Sequence, residues 1–244
     1  MNITPPFAYG EIVPLQKEHR ILVPQARKTP PAFRNLNAVP LSLSEFTPAS
    51  RDYPIAFVSG DDGKTFIAMA VLGLEAQQNL FVLKDGTWDN RSYLPAYVRR
   101  YPFCMATITD NGKVRPDRLI CVEQNSIKDK GDALFDDKGE PLPQWLEMQK
   151  LLTEFETDLL RTNEFAAEMK ELDLLEPFTM QAQPNEGKPL QLTGMFRINE
   201  QKLSALSNDK VKGLLQRGAL GRIYAHLLSL ENFNRLLGRR ADQA

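Results

Sequence analysis

Proline placement restricts the fold of this chain more than any other feature. Of its 17 prolines, 12 lie within the first 116 residues, and eight of these (Pro5, Pro6, Pro14, Pro24, Pro30, Pro31, Pro40 and Pro48) lie within the first 50. Each fixes φ and removes a backbone donor, so this stretch fits neither a central strand nor a helix interior. Residues 1–50 therefore read as a proline-rich extended arm that wraps the body of the fold.

The next part of the chain reads as a sheet. Short apolar runs occur at 55–58 (IAFV), 66–74 (FIAMAVLGL), 79–83 (NLFVL), 104–108 (CMATI) and 119–123 (LICVE). Asp62-Gly63, Asp85-Gly86 and Asn111-Gly112 punctuate them as hairpin-type dipeptides. The spacing predicts an antiparallel meander over 51–125. Around Pro143 the period changes from two to 3.6. Met148, Leu152, Phe155, Leu159, Thr162, Ala166 and Met169 make one stripe, which predicts a helix of roughly 28 residues. Acidic residues dominate its other face, so 143–176 reads as a long acidic amphipathic helix ended by Pro177. Alternation at 178–183 and 190–198, around the turn PNEGKP, predicts a second β-hairpin. Asn199 or Ser207 is a candidate cap for short helices and Gly218 a stop or hinge, before a last helix over about 219–237. The expected fold is α+β: an antiparallel β-sheet in the N-terminal half packed with the long amphipathic helix, a second hairpin and C-terminal helices, in one compact body of 244 residues.

Charge is unevenly spread. The chain has a net charge of −1, but residues 1–122 carry +3, residues 123–176 carry −9 and residues 188–240 carry +7. The acidic and basic parts are expected to attract each other within the fold, with docking of a charged partner as the other use. Near neutrality argues against a general polyanion binder, and the last helix is too apolar to lie in a DNA groove, so no nucleic-acid partner is expected. No run approaches the roughly 20 apolar residues of a transmembrane span. The N-terminus lacks the charged and apolar regions of a secretory signal, and Cys104 and Cys121 alone make no disulfide framework, so a cytoplasmic location and buried thiols are expected.

Candidate chemistry is sparse. The two histidines, His19 and His226, fit no metal-ligand spacing, and the nucleophile and phosphate-loop motifs are absent. No metal, cofactor or catalytic residue is assigned. The most unusual segment is YLPAYVRRYPF (93–103), with Trp88 just upstream. Rings beside guanidinium groups hold planar or anionic ligands by stacking and paired hydrogen bonds. Trp88, Tyr97, Arg99, Arg100 and Tyr101 are thus candidate ligand- or partner-binding residues. The bland alternative is that the tyrosines seal the sheet while the arginines pair with the acidic helix. His226, on the apolar stripe of the last helix, is a candidate for the same surface or else a core histidine with a satisfied ring.

Several segments together resemble the SapC family of bacterial proteins. They are NAVPLSLSEF (37–46), RDYPIAFV (51–58), NLFV (79–82) with Trp88, YLPAYVRRYPF, LFDDKGEP (134–141), LDLLEP (172–177) and IYAHLLSLENFNRL (223–236). The resemblance implies a surface-layer or peptide-transport connection by name, and neighbours resembling flavin-dependent halogenases, cupins and outer-membrane receptors. It carries over no catalytic residue. The leading expectation is a non-catalytic cytoplasmic binding or adaptor protein acting beside a modifying or uptake system. A protein partner is expected, with self-association possible through the C-terminal helix. The alternatives are a surface-layer structural or assembly component, and an enzyme or enzyme accessory using Arg99, Arg100 and His226.

Overall fold

The computed structural model describes residues 2–25, 27–110, 113–182 and 189–243. Eleven strands run along the described chain: β1 (Asn2–Thr4), β2 (Ile12–Pro14), β3 (Arg20–Ile21), β4 (Ala38–Pro40), β5 (Ile55–Val58), β6 (Ile67–Val71), β7 (Phe103–Asp110), β8 (Lys113–Glu123), β9 (Asp132–Ala133), β10 (Leu175–Ala182) and β11 (Leu190–Ile198). The α-helices are α1 (Phe46–Ala49), α2 (Ala96–Arg99), α3 (Pro143–Glu171), α4 (Glu200–Ser204), α5 (Asn208–Gln216), α6 (Ala219–Ser229) and α7 (Asn232–Gln243). The fold is α+β, with antiparallel pairing throughout.

The expected meander is divided between two sheets. One has the order β1-β7-β8-β2, the other β10-β11-β5-β6-β4, and β3 pairs with β9 separately. The 175–198 hairpin is therefore not a separate element. It extends the second sheet, with Met195 opposite Val58 and Phe196 opposite Phe57. The proline arm also does more than wrap: β1, β2 and β4 are edge strands of the two main sheets, where a residue without an N–H is tolerated.

The run 79–83 forms no strand. Asn79 Oδ1 accepts from the Phe81 N–H at 3.0 Å, and its Nδ2 donates to the Phe33 carbonyl at 3.0 Å, so side-chain bonds stand in place of a ladder. Among the glycine turns, Asp62 and Gly63 both have positive φ and join β5 to β6, while Gly86 (φ 79°) turns between the bridged pair Val82 and Trp88. Asn111-Gly112 and most of PNEGKP lie outside the described residues.

Helix α3 is 29 residues long, starts with Pro143 at its first position and closes with Lys170 in its last turn, both favoured placements. It ends at Glu171 rather than near Pro177, because Asp173 takes a left-handed conformation (φ 56°) and the chain enters β10. Its stripe meets two cores in succession. Trp145 and Leu152 pack with Phe103, Val122 and Ile21, whereas Phe155, Phe165, Ala166 and Met169 join the main core with Phe46 and Phe57. One helix thus spans both sheets, contacting β7 of the first and β6 of the second.

The first two C-terminal helices start at their expected caps, and Gly218 separates α5 from α6. Asn199 Oδ1 accepts from the Lys202 N–H at 2.9 Å, Ser207 precedes α5, and Gly218 adopts φ 70°. The expected helix over 219–237 is two helices. Ser229 and Asn232 flank the break and are tied elsewhere: Asn232 Nδ2 donates to the Ser50 and Tyr53 carbonyls at 2.7 and 3.1 Å. Ser229 Oγ accepts from the buried Ile55 N–H at 2.9 Å and donates to the His226 carbonyl at 2.6 Å. Ser229→Ala should strand the Ile55 donor and lower stability by about 1–3 kcal/mol. Urea unfolding measures this, and an unchanged midpoint would show that the bond carries no weight.

Candidate functional site

A cleft of about 740 Å³ lies where the two sheets meet over α3. The arm supplies Pro5, Pro6 and Phe7, the β5–β6 loop and β6 supply Lys64 to Ile67, and β7 and β8 supply Met105, Thr107 and Arg118. Helix α3 forms the floor with Glu156, Leu159, Leu160, Asn163, Glu164, Ala167 and Lys170. These steps of three and four residues put one helical face under the opening.

Tyr97 and Arg100 also line the cleft. Arg100 is 1% exposed and is held from several directions. Its Nη1 donates to Glu156 Oε1 at 3.0 Å, and its guanidinium lies 4.3, 4.8 and 5.6 Å from the rings of Tyr97, Phe155 and Tyr9. Its Nε has no partner among the described residues. Glu156 serves a second cation, Arg118, at 3.5 Å. Tyr97 Oη donates to the Phe7 carbonyl at 2.6 Å, tying the arm down beside the opening. Burial pushes the Tyr97 hydroxyl up to about 12, so it stays protonated around neutrality.

The other candidate residues are elsewhere. Trp88 is buried, with its indole N–H donating to Tyr53 Oη at 3.1 Å and to the Tyr93 carbonyl at 3.2 Å; it holds a loop and lines no part of the cleft. Arg99 points away from Arg100 and is exposed, donating to the Leu94 carbonyl at 3.1 Å and to Tyr93 Oη at 3.3 Å. Tyr101 is half-buried and packs on Tyr9 and Phe33. His226 is fully buried. Its Nε2 accepts from the Ile198 N–H at 3.0 Å, and its ring lies 5.2 Å from Phe57. A sealed ring between β11 and β5 rules it out as part of the proposed binding surface. Cys104 and Cys121 face each other across β7 and β8, both buried, and burial raises their thiols to about 12 and 11.

Of the six candidates, the structure thus brings only Tyr97 and Arg100 to the cleft. Missed were Phe7, Lys64, Arg118, Leu160 and Lys170, which had no local motif, and Glu156. Glu156 had a signal, since the acidic helix face was the expected partner of the arginines.

A sequence model of the SapC family matches residues 15–236. The chain belongs to the SapC family. The matched span of this SapC chain includes Tyr97, Arg100, Arg118 and Glu156, but begins after the Pro5–Phe7 wall of the cleft. No curated protein and no solved structure matches the chain. No described helix is long and apolar enough to cross a membrane.

His226 gives a pH test of its burial. Desolvation lowers its pKa from 6.5 to about 4, so the folded chain keeps the ring neutral where the unfolded chain protonates it. The unfolded state then binds more protons between pH 6.5 and 4, and stability falls as pH drops through that window. Above pH 6.5 the contribution is complete. In urea unfolding, wild type should lose about 3 kcal/mol more than His226→Gln between pH 7 and 4. Parallel pH profiles would mean that the ring is solvated.

Proposed function

We propose that this SapC chain is a non-catalytic binding protein that holds an organic ligand in the cleft between its two sheets. The observation that carries this reading is how the cleft's polar groups are engaged. Arg100 is paired and ringed by aromatics, Tyr97 is bonded to the arm backbone, and Glu156 is shared by two guanidinium groups. Such groups set shape and charge, and the side chain best suited to proton transfer, His226, is sealed elsewhere. The cleft volume lies within the roughly 300–1,000 Å³ of small-molecule sites, and its lining is mainly apolar.

This supports the binding and adaptor reading over an enzyme built on Arg99, Arg100 and His226. In that role the protein would act in the cytoplasm, beside a modifying or uptake system. Leu215, Tyr224 and Leu228 stand exposed on α5 and α6, and they are the surface a protein partner would cover.

The neutral probe N-phenyl-1-naphthylamine tests the cleft. It should bind wild type with enhanced fluorescence and fail to bind Ala167→Trp. Ala167 is exposed on the cleft floor, so this change fills the space without disturbing the core. Equal fluorescence in wild type and variant, with equal thermal stability, would overturn the reading.

A further inference from the structure

We propose that the cleft takes a monomeric amphiphile with an apolar chain and a single carboxylate head. The inference rests on the cleft being the binding site and adds the chemistry of its occupant.

Charge points to the head group. Lys64, Arg100, Arg118 and Lys170 line the cleft against only Glu156 and Glu164. Glu156 is also stretched between two guanidinium groups, at 3.0 Å from Arg100 and 3.5 Å from Arg118. One carboxylate neutralises one of them, which leaves a unit of positive charge at this corner. Arg118 keeps 45% of its side chain exposed beside this pair, and a guanidinium carries more donors than one carboxylate oxygen takes up. The buried Arg100 Nε, which has no partner among the described residues, lies at the same corner. The Lys170 ammonium donates to the Lys64 backbone carbonyl at 2.8 Å, which holds a further cation on the cleft lining. A neutral ligand would leave this excess unmatched, and a cationic one would be repelled.

The rim points to the apolar chain. Phe7, Ile67 and Leu160 are among nine large apolar side chains exposed in the described residues, and all three line this one cleft. Exposed apolar groups gathered around a concavity mark a surface that is covered in use. Burying them under an alkyl chain gains roughly 25 cal/mol for each Å² removed from water.

The test is displacement of N-phenyl-1-naphthylamine from the full chain by decanoate, 1-decanol, decylammonium and a short apolar peptide with a free C-terminus. Decanoate should displace the probe at roughly tenfold lower concentration than the other three, as one charge-assisted bond to the head predicts. That advantage should shrink to about twofold or less in the double variant Arg118→Met/Lys170→Met, and it should also shrink in about 0.5 M salt. Both side chains are exposed or partly exposed, so the fold should tolerate their loss. Equal displacement by 1-decanol or decylammonium would overturn the inference, as would an advantage untouched by the double variant. Displacement by the peptide but not by decanoate would overturn it in favour of a protein terminus. The probe is neutral, so its failure to bind wild type at all would instead sink the cleft reading beneath the inference.

Discussion

The buried guanidinium of Arg100 is the constraint around which this molecule is arranged. A charge removed from water is tolerated only when paired and surrounded, and removing one partner of such a pair typically costs about 3–5 kcal/mol. Set against a usual total of about 5–15 kcal/mol, that makes each partner's position a condition of folding. The partners come from three separate parts of the chain: Tyr9 from the arm, Tyr97 from α2, and Phe155 and Glu156 from α3. One side chain therefore fixes the arm, α2 and the long helix relative to one another. The cleft above it inherits a floor that has little freedom to move.

Part of the uneven charge of the sequence is paired within the fold. Acidic α3 receives Arg100 and Arg118 through Glu156, pairs Glu168 with Arg217 of the basic C-terminal part, and accepts the Ser44 N–H through Asp158 at 2.7 Å. The exposed pairs among these contribute little stability one by one. Where they occur they help to orient the helix against α2, β8 and the C-terminal part.

Local periodicity made the helix legible, and topology hid the rest. The stripe from Met148 to Met169 is set by 3.6-residue spacing, and all its members are buried or half-buried in α3. Alternation in 190–198 marked a strand but could not name its neighbour, which lies more than 130 residues earlier in β5. The aromatic–arginine segment was visible as composition, yet adjacent residues on a short helix point in different directions. Arg100 is thus buried while Arg99 faces water. Trp88 and His226 have the chemistry of ligand-binding residues, but whether such rings line a cleft or fill a core depends on packing that no short stretch encodes. Phe7, Lys64, Arg118 and Lys170 meet only because two sheets converge on one helix.

The prolines also govern how the sheets end. The open margins of the two main sheets are β1, β2, β4 and β10. Pro14, Pro40 and Pro177 lie within three of them, and Pro5-Pro6 come directly after the fourth. Each margin is thereby short of donors or cut off where another chain's strand would otherwise dock. The molecule is poorly suited to growing by strand addition, whether into aggregates or into ordered arrays. Any assembly of its copies would have to be built from side chains on its faces.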